Sequence, residues 1–119
     1  RTHYSAEAAL RYGELILDDK SQLSTARRYL QEAARRASDP SLGAVRANAY
    51  YDLARLAELE GNNEEAIRLF LAMSLLYEDK ELVTKAMLSA SGLLKSAGRH
   101  DEAAAVEEDL KTRYPEGSK

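Results

Sequence analysis

Residues 60–70 read EGNNEEAIRLF and residues 97–107 read AGRHDEAAAVE. In both, a glycine is followed at the same offsets by two polar residues, two acids and an alanine. Such self-similarity decides whether a chain is one globule or a row of like units. Ala66 and Ala103 have a third counterpart in Ala26, so the three alanines stand 40 and 37 residues apart. An alanine at the head of a helix lets a second backbone come close, and a larger residue there would overpack by roughly 1 to 3 kcal/mol. Gly61 and Gly98, each five residues before its alanine, suit the left-handed backbone that ends a helix and reverses the chain. Each unit is therefore predicted to be a helical hairpin.

The hydrophobic pattern agrees. Tyr50, Leu53, Ala54 and Ala57 follow i, i+3, i+4, i+7, as do Ala66, Leu69, Phe70 and Met73. Ala86, Met87, Ala90, Leu93, Leu94 and Ala97 make a third stripe, and Ala103, Val106, Leu110 and Tyr114 a weaker fourth. Two further helices are expected over about 4–17 and 23–36, the second carrying Ala26, Tyr29, Leu30 and Ala33. No segment alternates with the period of a strand, so the fold class is all-α. Both prolines, Pro40 and Pro115, fall outside the six helices. Ser38, Asp39 and Ser41 supply turn chemistry before the third helix, and His100 or Asp101 can start the last. Links of a few residues make consecutive helices antiparallel neighbours, giving units over 4–38, 45–78 and 82–115.

Composition narrows the function. With 45% hydrophobic and 31% charged residues, 119 residues suffice for one continuous core. No apolar run reaches the roughly 20 residues that span a bilayer. A net charge of −3, with basic residues spread along the chain, offers no broad surface for nucleic acid. The absence of cysteine removes disulfides, thiolate metal sites and thiol nucleophiles. His3 and His100 form no HExxH or paired-histidine pattern, Asp18 and Asp19 read as a turn rather than a calcium loop, and no serine sits in a nucleophile motif. The acids Glu64 and Glu65 suit the first turn of a helix, where they favour the dipole. In TARRYLQEAARR, Arg28, Glu32 and Arg36 recur at i, i+4 and read as a solvated, ion-paired face. We expect no enzyme activity, no cofactor and no metal. The chain begins at Arg1 and reads as part of a longer or processed protein.

These residues resemble the tetratricopeptide repeat. In the middle unit Tyr50, Leu53, Ala54, Ala57, Gly61, Ala66 and Phe70 match its aromatic, Leu, small, contact, turn, Ala and aromatic positions. The last unit offers Met87, Ala90, Ser91, Leu94, Gly98, Ala103 and Pro115, and the first Gly13, Ala26, Leu30 and Ala33. The resemblance implies a right-handed superhelical stack of three hairpins. Units longer than the usual 34 residues, with the ending LKTRYPEGSK, look most like tetratricopeptide proteins of the bacterial envelope, such as the Tol-Pal-associated coordinator and the lipoproteins of outer-membrane assembly. On that likeness the bacterial periplasm or envelope is favoured over the cytoplasm.

The resemblance also implies a groove lined by the first helix of each hairpin. Its ligand-facing positions fall on Asn48, Tyr51, Arg55, Glu58 and Leu59 in the middle unit, and on Lys85, Leu88, Gly92, Lys95 and Ser96 in the last. Tyr51 and Arg55 are the expected hot spots, aromatics and arginine being enriched among them. Leu10, Glu14 and Asp52 stand where some relatives carry the Lys and Asn that clamp a C-terminal carboxylate, which argues against that ligand. The expected function is a non-catalytic scaffold that binds a peptide or protein surface within a bacterial multiprotein complex. Glu107, where the other units have Phe70 and Leu30, is read as a charged end face. Leu15, Ile16 and Leu17 cannot all face one way, so helix 1 should keep apolar surface that a second copy could cover. Self-association is the alternative reading.

Overall fold

Ser5 opens the first helix by accepting the Ala8 N–H on its Oγ at 3.1 Å, satisfying one of the donors that a helix start leaves bare. The structure, a computed structural model, describes residues 5–115. His3, Tyr4 and the end of the chain after Pro115 lie outside the described residues. Within them six α-helices follow one another and no strand forms: α1 (Ala6–Ile16), α2 (Leu23–Arg36), α3 (Gly43–Leu59), α4 (Asn63–Leu76), α5 (Lys80–Ser96) and α6 (His100–Arg113). None of these is long and apolar enough to cross a membrane.

The turns are built as their residues dictate. Gly61 and Gly98 have φ of 81° and 76°, the left-handed region. After α3 the Asn62 N–H returns to Ala57 O at 2.8 Å and the Gly61 N–H to Glu58 O at 3.0 Å; Arg99 and Gly98 repeat the pattern on Leu94 and Lys95. The last carbonyls of α3 and α5 are satisfied while the chain reverses. Asp19 and Asp39 each accept the backbone N–H two residues on, at 3.0 and 2.8 Å, and shape the short 3-10 turns that lead into α2 and α3. Asn62 and Asp79 cap α4 and α5. α6 starts at His100, one of the two starts expected. The residue before it, Arg99, makes no side-chain cap bond, and its guanidinium binds Glu102 of α6 at 2.8 Å and Glu64 of α4 at 2.7 Å.

Each helix packs on the next, and the first helices also touch one another, α1 on α3 and α3 on α5. Small residues set the spacing: Ala26, Ala66 and Ala103 are wholly buried. A Cβ on Gly13 would lie 2.6 Å from Leu30 Cδ2, so α1 and α2 meet closer there than a side chain allows. Phe70 fills the middle of the core with Met73, Leu82, Ala86 and Ala90, while Leu17, Leu30, Leu53 and Leu56 close the seam between the first two hairpins. The extents of 50 × 32 × 19 Å suit a row of hairpins rather than a sphere. Both helices advance in step: α5 starts 37 residues after α3 (80 against 43) and α6 starts 37 after α4 (100 against 63).

Leu17 turns inward, whereas Leu15 is 72% exposed, so helix 1 keeps the apolar surplus expected of it.

Candidate functional site

Asn48, Tyr51, Asp52, Arg55, Glu58 and Leu59 recur every three or four residues and so share one stripe of α3. Lys85 and Leu88 lie on α5, and Glu14 lies on α1. Because α1 and α5 both touch α3, this face runs across all three first helices.

Tyr51 is half-buried. Its ring is tilted at 60° to Phe70 with centroids 5.6 Å apart, and it packs against the central core. From the next hairpin Lys85 sets its Nζ 5.1 Å from the ring centroid, a contact worth about 0.5 to 1 kcal/mol at an exposed site. Tyr51 therefore joins two hairpins as well as facing outward. Leu88, one turn after Lys85 on α5, is 53% exposed, and Leu59 on α3 is 42% exposed. Glu58 is exposed, and the Asn48 amide donates to Ala44 O at 2.8 Å within its own helix.

Two residues are committed elsewhere. Lys95 places its ammonium 2.7 Å from Glu107 on α6, and the Ser91 hydroxyl donates to the same carboxylate at 2.6 Å. Lys95, expected to face a ligand, is thus drawn toward the second helix of its hairpin by length and charge. Glu107, expected on an open end face, is a half-buried acceptor inside that hairpin. The Lys95 and Ser91 bonds hold its carboxyl below the usual carboxylate range.

The sharpest electrostatic feature is Asp52, 3% exposed, whose Oδ2 has no hydrogen-bond partner among the described residues. Burial first, and then the nearby Glu14 carboxyl from α1, push the Asp52 carboxyl up to about 8. Arg55, 3.6 Å from Asp52 Oδ1, pulls the other way and is outweighed. At neutral pH Asp52 is therefore chiefly protonated, at the seam between two hairpins. The sequence shows an acid within YYDLARLA, but its burial depends on α1, 38 positions away at Glu14. Among the described residues no group of three or more His, Cys, Asp or Glu side chains is placed to hold a metal ion.

Compared with family models, with curated proteins and with solved structures, the chain matches none.

Proposed function

We propose that the chain is a tetratricopeptide-like stack of three hairpins, with units over 4–38, 45–78 and 82–115, and that it is a non-catalytic scaffold whose first-helix face binds a peptide or protein surface. The observation that carries this reading is an apolar side chain, Leu88, left half open on α5 one turn from Lys85, whose ammonium lies over an aromatic, Tyr51, that also packs on Phe70. A packed aromatic and an exposed leucine on neighbouring first helices supply contact area at small entropic cost, and Lys85, Arg55 and Glu58 give them a polar rim. The resemblance to bacterial-envelope relatives favours a bacterial multiprotein complex as the setting.

The reading is tested by placing a photo-cross-linking amino acid at position 88 of the chain in its source cell, with a control at exposed Ala104 on α6. Cross-links to a second polypeptide from position 88 and not from 104 are expected. Equal yields from the two positions, or none, would refute the reading.

A specific observation favours a second reading. Ala8, Arg11, Tyr12 and Leu15 line a hollow of about 310 Å³ on the outer side of α1, with Leu15 prominent. This surface suits a second copy of the chain. Sedimentation would then show a dimer that Leu15→Glu converts to monomer without changing the helical signal.

A further inference from the structure

On the side away from the first-helix face, three stripes converge. Arg27, Gln31 and Arg35 recur every four residues along α2. Arg46, Tyr50 and Leu53 follow i, i+4, i+7 on α3, and Glu65 and Leu69 stand on α4. Together they wall a cleft of about 560 Å³, within the size range of ligand pockets. Its floor is apolar, with Tyr50, Leu53 and Leu69 packed in the seam between the first two hairpins.

The charges on the walls are not alike. Arg27 pairs with Glu60 and Arg35 with Glu32, acids that do not line the cleft, and the lining acid Glu65 is held by Arg68. Arg46 differs. Among the described residues it forms no ion pair, and its guanidinium lies 5.7 Å from the Tyr50 ring centroid, half-buried beside the apolar floor. The hydroxyls of Tyr50 and Tyr77 are its hydrogen-bonding neighbours and hold its charge in place; a guanidinium carries five N–H donors, so two phenol oxygens leave it donors for a carboxylate.

We propose that this cleft is a receptor for an acidic segment of a partner polypeptide, an Asp or Glu side chain on Arg46 with an adjoining apolar side chain on Tyr50, Leu53 and Leu69. Charge complementarity carries the choice: three arginines and one glutamate face the cleft, and Arg46, the one of those three arginines with no acid partner among the described residues, stands beside its apolar floor. From Arg27 to Arg35 the wall runs about 12 Å, the reach of about four residues of extended chain. A net charge of −3 opposes a long polyanion such as nucleic acid, whereas one or two carboxylates flanked by apolar groups meet little of that field. This inference stands apart from the first-helix reading, since it uses other residues and another face.

The test is selection of displayed random peptides on the immobilised full chain, followed by affinity measurement of the selected peptides on three variants. Arg46→Glu reverses the key charge. Gln31→Glu adds a carboxylate at an exposed wall position and keeps the test decisive should Arg46→Glu fold poorly. Leu88→Lys alters only the first-helix face. Selected peptides should carry Asp or Glu next to an apolar residue and bind more weakly as salt rises. They should lose affinity by about tenfold or more on Arg46→Glu and Gln31→Glu, the scale of one charged hydrogen bond, and keep it on Leu88→Lys. The proposal is overturned if no peptide is enriched, if the enriched ones lack acids, or if they bind Gln31→Glu as well as the parent chain. Peptides lost on Leu88→Lys alone would move binding to the first helices. A chain whose own dimerisation Gln31→Glu abolishes would make the occupant a second copy.

Discussion

Asp52 makes stability depend on pH in the opposite sense to an ordinary carboxylate. Unfolded, it releases its proton near its usual value of 3.8; folded, it holds the proton up to about 8. Across that window the folded chain binds more protons than the unfolded one, so raising the pH favours unfolding, and above about 8 the loss is complete. Glu32, Glu102 and Glu107, each held low by an Arg or Lys partner, act the other way and lose their contribution as pH falls below the usual carboxylate range. The melting temperature should peak near about pH 5 and decline to about pH 8. Asp52→Asn should flatten that decline, and a slope unchanged in the variant would show that Asp52 is already ionised in the fold. Gly13 offers a steric test: a methyl there meets the wholly buried Leu30. Gly13→Ala gains about 1 kcal/mol of helix propensity yet overpacks by about 1 to 3, so the urea midpoint should fall.

The turns that end α3 and α5 depend on backbone rather than packing. A Cβ on Gly61 or Gly98 would meet nothing within 4 Å, so the penalty for Gly61→Ala or Gly98→Ala is the left-handed strain alone, about 1 to 2 kcal/mol each. Chemical denaturation should return similar values at the two sites, and no change at either would refute the strain. The helices themselves were legible in the chain because apolar residues recur with a helical period and both glycines sit where a reversal needs them; α2 spans Leu23–Arg36, as expected. Destinations of long side chains were not legible. Lys95 has enough reach to leave its own stripe for Glu107, and Tyr51 can both touch Phe70 and meet Lys85. Nor does local sequence reveal that Asp52 is sealed, because the helix beside it comes from another hairpin.

For the whole molecule, neighbours are unequally shared. The inner helices are covered on several sides, whereas α6 packs chiefly on α5 and buries only Ala103 and Leu110 among its described side chains. Arg113 adds one tie, donating to Ser74 O at 2.6 Å. Native-state hydrogen exchange should show α6 opening at lower free energy than α3, with Arg113→Ala widening the gap. Uniform protection of the six helices would mean that the row opens as one unit. The equal advance of 37 residues in both helices has a further meaning, since it makes residues 43–79 a cassette whose ends match in phase. Copied in tandem, it would add one first helix and one second helix with the same intervening turn lengths, lengthening the row by one hairpin. The spacing of the turns would thus be kept in a longer row.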